Sequence, residues 1–314
     1  MIYLSRALVL ILAFITMVTA CAAPAAPTPV PPTAAPAAPA PTAAPATAAG
    51  AAPVATIAPA ASGTLNVFAA ASLTAAFGTI GKNFEAANPG SRVVFNFAGS
   101  NDLAAQIGKG APADVFASAN DAQMQVVVKS GQVAADSYRA FARNRLVVIY
   151  STSNPARLTR LQDLAQPGVK VVLAAKEVPV GQYALDFLTK ANADPSFGAT
   201  YKGSVIKNVV SYETDVKAVL AKVMLGEADA GIVYATDVTM DAATRTGRFE
   251  IPDALNTLAV YPIAAIATSD HSDLAKKFVD YVLGADGQAA LVKYGFISAN
   301  GSATGGAPPF ARLD

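Results

Sequence analysis

Two serines stand where a short apolar strand gives way to a predicted helix. Ser72 follows the stretch TLNVFAAA, whose composition predicts a buried strand, and precedes apolar residues at helical spacing (Leu73, Phe77, Ile80, Phe84). Ser100 ends the stretch RVVFNFAGS in the same way. The start of a helix offers unpaired backbone N–H groups and a partial positive charge. Such a junction can therefore bind a small anion without a lysine or an arginine.

Three further junctions of this kind lie in the second half of the chain. VPVGQY opens a predicted helix at Val180, YETDV opens another at Val216, and the buried strand GIVY ends in Tyr234. Ligands of open α/β sheets bind beyond the carboxyl ends of the strands. Each junction taken alone has a simpler explanation, because a polar residue at a helix start commonly serves only as a cap and a strand-end tyrosine commonly belongs to the core.

Strands and helices alternate through the chain and predict an α/β fold with largely parallel sheets covered on both faces. The predicted strands are 64–70, 92–98, 114–117, 145–150, 170–174, 205–210, 230–234 and 259–267. The predicted helices are 73–87, 101–108, 120–130, 161–165, 181–191, 215–226, 236–246, 272–284 and 286–294.

The N-terminal segment has the features of a targeting sequence. Arg6 is the only charge in residues 1–20, and the apolar run that follows it is shorter than the roughly 20 residues of a membrane-spanning helix. The run ends in VTAC, which resembles a bacterial lipobox and implies cleavage before Cys21 and lipidation of its sulfur. An uncleaved anchor helix is the alternative.

Residues 21–62 are almost wholly Ala, Pro and Thr, so we expect them to form an extended tether. We expect residues 301–314 to be a loose tail.

The composition excludes several kinds of chemistry. His271 is the only histidine and Cys21 the only cysteine, so a transition-metal site or an intrachain disulfide is not expected. A serine nucleophile would need His271 beside Ser72 or Ser100, and the chain has neither a G-x-S-x-G elbow nor a P-loop. Without Arg6 the chain carries 22 basic and 22 acidic residues. This balance and the lack of a basic run argue against nucleic acid as a partner.

Seven segments, in this order, resemble the periplasmic molybdate-binding proteins of ABC-type uptake systems, which are type II solute-binding proteins. The segments are VFAAASL, FAGSNDLAAQI, GAPADVFASA, EVPVGQYA, YETDVKAVLAKV, ADAGIVYATD and VKYGF. They span nearly all of residues 64–298. The resemblance implies two α/β lobes, each a mostly parallel sheet flanked by helices, with a hinge between the lobes and an oxyanion in the cleft. It implies no enzymatic activity and no cofactor.

The resemblance also assigns roles to single residues. Ser72 and Ser100 should donate hydroxyl and backbone hydrogen bonds, Val180 and Val216 their backbone N–H groups, and Tyr234 its phenolic O–H. The ligand would be molybdate or tungstate, and its metal atom would have no direct protein ligand. Val180 stands where the family often has alanine, and Gly99 precedes Ser100 where serines are common. We expect Asp215, whose carboxylate would repel an anion, to cap its own helix and to be turned away from the ligand.

The donor set agrees with a tetrahedral dianion, whose oxygens only accept hydrogen bonds near neutral pH. Hydrogen phosphate carries a proton that would face another donor, so such a pocket disfavours it. Sulfate would be excluded only by size, and tungstate would not be excluded. We therefore expect a lipid-anchored, monomeric, extracytoplasmic receptor that delivers the anion to an ABC permease in the membrane.

The predicted lobes comprise residues 64–143 with 260–300 and residues 144–259, with the hinge near Asn144 and near residues 259–261. Three alternatives remain open at this point. The chain could be a receptor for another anion such as sulfate or thiosulfate, a serine-based hydrolase, or a purely structural surface protein.

Overall fold

The computed structural model describes residues 62–299. The predicted signal peptide, the lipidation site Cys21, the tether up to residue 61 and the tail from residue 301 lie outside the described residues. Two sheets and the helices that cover them make up the described part of the chain.

The first sheet has six strands and draws them from both ends of the described chain. Its order is β11-β4-β10-β3-β1-β2. Strands β1 and β2 pair in parallel, as do β1 and β3, whereas β10 pairs antiparallel with β3 and β4, and β11 antiparallel with β4. The strands are β1 Gly63–Ala70, β2 Ser91–Ala98, β3 Val115–Ala117, β4 Arg139–Asn144, β10 Ala259–Ala265 and β11 Ile297–Ser298.

The second sheet has five strands from the middle of the chain, in the order β7-β6-β8-β5-β9. Strand β6 pairs in parallel with β7 and β8, and β5 pairs antiparallel with β8 and β9. The strands are β5 Leu146–Ser151, β6 Val171–Ala174, β7 Val209–Glu213, β8 Ala230–Tyr234 and β9 Thr246–Glu250. The chain passes between the sheets at residue 145 and again between residues 250 and 259.

Nine α-helices and three short 3-10 turns connect the strands within residues 62–299. The helices are α1 Thr74–Ala87, α2 Ser100–Gly108, α3 Asp121–Lys129, α4 Pro179–Ala193, α5 Tyr201–Lys207, α6 Val216–Met224, α7 Met240–Arg245, α8 Ser272–Leu283 and α9 Ala285–Lys293. The 3-10 turns are Ala71–Leu73, Leu161–Ala165 and Ala235–Asp237.

The predicted α/β class, with helices flanking two sheets, is confirmed, and most elements lie where the sequence placed them. The sheets are mixed rather than mostly parallel, because β5 and β10 each run antiparallel to their neighbours. The segment 205–210 was predicted as a strand, but residues 205–207 end helix α5, and only residues 209 and 210 belong to a strand, β7. The sequence prediction also missed β4, β9 and the two-residue strand β11. The distribution of strands follows the predicted lobe boundaries closely, and the lobes themselves stay a prediction.

The apolar faces predicted for the helices pack against the sheets. Leu73, Phe77, Ile80 and Phe84, the helical stripe that follows Ser72, are all at most 1% exposed. The Phe77 ring lies 5.7 Å from that of Phe141 and 6.1 Å from that of Phe278, between centroids. This packing fixes the start of α1, and with it the turn that carries Ser72. Within residues 62–299 the chain has no helix that is both long and apolar enough to cross a membrane.

Candidate functional site

All five residues predicted to bind an anion line one small cavity. Ser72 and Ser100 follow strands of the first sheet. Val180 and Val216 lie at the starts of helices α4 and α6, and Tyr234 ends strand β8 of the second sheet. Each of the five is at most 4% exposed. The structure thus brings together donors that are up to 162 positions apart in the sequence (Ser72 to Tyr234).

Ser72 lies in the 3-10 turn Ala71–Leu73, directly before the N-cap of α1 at Leu73. It was predicted at or next to a helix N-cap, and it takes the neighbouring position. Its hydroxyl forms a hydrogen bond of 3.0 Å with the hydroxyl of Tyr261, a residue of β10. The side chain therefore has a fixed partner inside the protein while it lines the cavity.

Ser100 is the first residue of α2 and follows the N-cap Gly99. Its Oγ accepts a hydrogen bond of 3.0 Å from the backbone N–H of Ala119. A hydroxyl has one proton to donate and two lone pairs. The Ala119 N–H uses one lone pair, so the Ser100 proton and the second lone pair remain for other partners, and the unpaired N–H groups of the helix start lie beside them.

Val180 occupies the second position of α4, after Pro179. Proline has no N–H, and the N–H of Gln182 already bonds to the Val178 carbonyl oxygen. The Val180 N–H therefore belongs to the helix-start donors that have no partner within the helix. Gly181 holds this helix close to β6, because a Cβ there would collide with the carbonyl oxygens of Ala174 and Ala175.

Val216 is the first residue of α6, and Asp215 is its N-cap. One oxygen of the Asp215 carboxylate accepts from the N–H groups of Lys217 (2.7 Å) and Ala218 (3.0 Å). The cap thus satisfies the second and third N–H groups of the helix and does not engage that of Val216. The predicted capping role of Asp215 is confirmed, although the residue also lines the cavity.

Tyr234 ends β8 and lines the cavity, and its hydroxyl oxygen is buried without a hydrogen-bond partner in the described structure. Such a group carries a desolvation cost of about 1–3 kcal/mol unless something else bonds to it. Burial raises the pKa of Tyr234 well above its usual range, and the nearby Tyr261, Tyr183 and Asp237 raise it further. Tyr234 therefore stays protonated and remains a donor.

Among residues 62–299, none with a cationic side chain lines the cavity; apart from the five predicted donors and Asp215, the lining consists of Ala, Gly, Val and Pro. The nearest lysine in sequence to the α6 start, Lys217, forms an ion pair of 2.8 Å with the buried Asp237. Within residues 62–299 no group of three or more His, Cys, Asp or Glu side chains is arranged to hold a metal ion. Neutral donors and helix starts make up the binding chemistry of this site.

Sequence reasoning missed the residues behind the donors. Tyr261 and Asn144 were predicted only as hinge positions, yet Tyr261 bonds to Ser72 and also accepts from the Asn144 amide at 3.4 Å. The signal in the sequence was a polar side chain, Asn144 or Tyr261, within or beside a run of apolar strand residues. Gly99, noted only as a departure from a family pattern, lies against the carbonyl of Thr214, which directly follows β7.

His271 lies away from both serines. It is partly exposed, its Nδ1 lies 3.4 Å from Asp114 Oδ1, and its ring packs 3.1 Å from where a Cβ of Gly63 would be. Gly63 begins β1, whereas Ser72 follows the end of that strand, so the histidine is at the opposite edge of the sheet. A Ser–His nucleophile pair is therefore not formed.

The fold and a cleft-like cavity between two sheets define the class of solute-binding proteins. A family model described as bacterial extracellular solute-binding protein matches residues 65–297, so the chain belongs to that family, whose members are binding proteins rather than enzymes. A relative from Mycobacterium bovis, the molybdate-binding protein ModA, is 40% identical over 230 residues, which cover 73% of this chain and 83% of that protein.

Solved structures give the same fold. The substrate-binding domain of a putative molybdenum ABC transporter from Clostridium difficile is 30% identical with a TM-score of 0.56, over 75% of this chain and 98% of that one. The sulfate-binding protein SubI from Mycobacterium tuberculosis has a TM-score of 0.68 at 18% identity, over 76% of this chain and 87% of that one. At that identity the second likeness shows the fold alone.

The contact of Gly99 with Thr214 leads to a test of how closely the two sides of the cavity approach. A Cβ at Gly99 would collide with the Thr214 carbonyl oxygen and lie 2.7 Å from Asn101 Oδ1. Gly99 has an ordinary φ of −58°, so Gly99→Ala adds only this clash. We expect Gly99→Ala to lower the free energy of unfolding by about 1–3 kcal/mol in urea denaturation.

Gly78→Ala is the matched control. Gly78 lies inside α1, and a Cβ there would have no atom within 4 Å. Because alanine favours a helix more than glycine does, this substitution should stabilise the protein by up to about 1 kcal/mol. Equal stability of Gly99→Ala and wild type would contradict the close approach of the two segments.

Proposed function

We propose that this chain captures molybdate, and tungstate as well, in the cavity between its two sheets and delivers the anion to an ABC permease. The observation that carries the proposal is the convergence of Ser72, Ser100, Val180, Val216 and Tyr234 on one buried cavity without a cation. Two relatives support the same ligand, since the M. bovis relative is a molybdate-binding protein and the C. difficile domain belongs to a putative molybdenum ABC transporter.

The donor set suits an anion that carries no proton. Ser100 Oγ already accepts from Ala119, and the Val180 and Val216 N–H groups can only donate, so the cavity presents donors to its ligand. A hydrogen bond to a charged acceptor contributes about 1.5–3 kcal/mol, and several together offset the desolvation of a dianion. The partnerless Tyr234 hydroxyl would gain its hydrogen bond when the anion binds.

Binding requires the cavity to open. Its five donors are almost fully buried, so an anion reaches them only if the two sides separate. We assign residues 64–143 and 260–300 to one lobe and 144–259 to the other, because the chain crosses between the sheets only near residue 145 and between residues 250 and 259. Rotation about these crossings would open the cleft, and ligand contacts from both lobes would close it.

The remaining assignments rest on the sequence. Cys21 would carry the lipid that holds the protein at the outer face of the membrane, and residues 21–62 would tether the lobes beside the permease. The two-lobed receptor would act as a monomer. Because the ligand is an oxyanion, molybdenum would be bound through its oxygens only.

A panel of oxyanions tests the ligand. The melting temperature of the chain would be measured with molybdate, tungstate, sulfate and phosphate. A ligand at 1,000 times its Kd increases the free energy of unfolding by about 4 kcal/mol, which raises the melting temperature on the order of 10 °C. We expect this shift with molybdate and tungstate and little shift with sulfate or phosphate. A shift with sulfate alone would make the chain a sulfate receptor, and no shift with any of the four would contradict an oxyanion site.

Removal of the two serine hydroxyls tests the first side of the site. We expect Ser72→Ala with Ser100→Ala to weaken molybdate binding on the order of 10²–10⁴-fold, because each lost hydrogen bond to the dianion contributes about 1.5–3 kcal/mol. Isothermal titration calorimetry would measure the affinity, and circular dichroism would check that the variant is folded. Ser151→Ala with Ser153→Ala is the control, since those hydroxyls bond to each other at 2.9 Å outside the cavity. Tight molybdate binding by the Ser72→Ala, Ser100→Ala variant would show that the two serine hydroxyls do not contribute to the site.

Tyr234→Phe should separate binding from stability. Its hydroxyl has no protein partner, so its removal should leave the unliganded protein as stable as wild type or more stable by about 1 kcal/mol. Molybdate affinity should fall roughly 10- to 100-fold. Tyr201→Phe should do the opposite, because the buried Tyr201 hydroxyl donates to the Leu161 carbonyl at 2.7 Å away from the cavity. Calorimetric titration and urea denaturation of both variants would distinguish the two effects, and unchanged affinity in Tyr234→Phe would exclude this donor.

A further inference from the structure

A chain of hydrogen bonds leads from the backbone at the crossing between the sheets to Ser72. The Arg145 N–H donates to Asn144 Oδ1 at 2.9 Å. A backbone N–H can only donate, so this bond fixes which end of the Asn144 amide is the oxygen. The Asn144 Nδ2 then points to Thr236 Oγ1 at 2.8 Å and to the Tyr261 hydroxyl at 3.4 Å.

This orientation of the Asn144 amide bears on which group donates in the bonds to Tyr261 and Ser72. Because Nδ2 can only donate, the Tyr261 oxygen accepts from Asn144, and the Tyr261 proton remains for another acceptor. The Ser72 Oγ lies 3.0 Å from that hydroxyl. A proton donated by Tyr261 to Ser72 Oγ would leave the Ser72 proton for the cavity that Ser72 lines.

The three side chains of this series of bonds are buried. Tyr261, Asn144 and Ser72 are 0%, 1% and 4% exposed, so their polar groups rely mainly on one another and on neighbouring protein groups for hydrogen bonds. Burial raises the pKa of Tyr261 far above its usual range, so the phenol keeps the proton that it donates. Ser100 has the equivalent arrangement, since its oxygen accepts from the Ala119 N–H.

We propose that Tyr261, oriented by Asn144, is a positioning and specificity-determining residue that fixes Ser72 as a donor and so disfavours anions that carry a proton. Neither side chain needs to touch the anion. The inference rests on the proposed function, because it assumes that Ser72 bonds to an oxyanion in the cavity. The protonated anions concerned are the hydrogen phosphates, whose O–H would require an acceptor in the cavity wall.

Tyr261→Phe is the test, made in the full-length chain purified in detergent. Without the phenol, Ser72 Oγ loses the donor that occupies one of its lone pairs, so it accepts a proton from the ligand more readily. We expect molybdate and sulfate affinities to fall together, roughly 2- to 10-fold, because neither anion carries a proton. Phosphate affinity should stay constant or rise, so the ratio of molybdate to phosphate affinity should fall by roughly 5-fold or more while the ratio of molybdate to sulfate affinity stays the same. Calorimetric titrations and competition against bound molybdate would give the three affinities.

Two comparisons separate this role from a general loss of packing. Tyr201→Phe removes another buried phenol whose hydrogen bond lies outside the cavity, and it should change neither ratio. In a Ser72→Ala background, Tyr261→Phe should produce no further change in the molybdate-to-phosphate ratio, because the group that it orients is gone. A uniform loss of affinity for all three anions, or the same ratio change in Tyr201→Phe, would overturn the inference. A wild-type chain that binds none of the anions would instead refute the proposed function.

Discussion

The structure depends on placing neutral hydrogen-bond donors around one small cavity. An anion enclosed without a counterion is tolerated only where donors replace its whole hydration shell. In the proposed site, three helix starts would supply part of that replacement through backbone N–H groups that no residue within the helix can satisfy (Ser100, Val180, Val216). Strand ends that meet at one edge of each sheet bring these helix starts together, and the two crossings of the chain bring the two edges face to face.

The capping residues around the cavity leave selected donors free. Asp215 illustrates this, because its carboxylate would repel an anion, yet one of its oxygens is occupied by the Lys217 and Ala218 N–H groups. The first N–H of that helix is not part of the cap. In the same way, the absence of an N–H on Pro179 and the small size of Gly181 allow the Val180 N–H to lie at the cavity with the helix packed close to its strand. Local helix-start chemistry and ligand chemistry are therefore served by the same residues.

The sequence predicted the cavity residues well because a strand that runs into a helix start is a local pattern, legible from residues such as Ser72 and Tyr234. It predicted less well what depends on distant pairing. The apolar run around Val205 and Val209 suits either a strand or a helix, and tertiary packing put the first part of it in α5. Strand β4 carries two arginines and β9 one, so neither has the apolar alternation of a core strand. The bond between Ser72 and Tyr261 joins residues 189 positions apart, and no local pattern contains it.

The place of Asn144 and Tyr261 in the chain has a consequence for how a ligand is met. Both lie where the polypeptide passes from one sheet to the other, at the end of β4 and near the start of β10. A rotation leaves distances close to its axis nearly unchanged, so the hydrogen bonds that orient Ser72 would persist while the cleft opens and closes. The serine would then meet its anion with its hydroxyl already oriented, and the entropy of fixing that rotor would have been lost during folding rather than during capture.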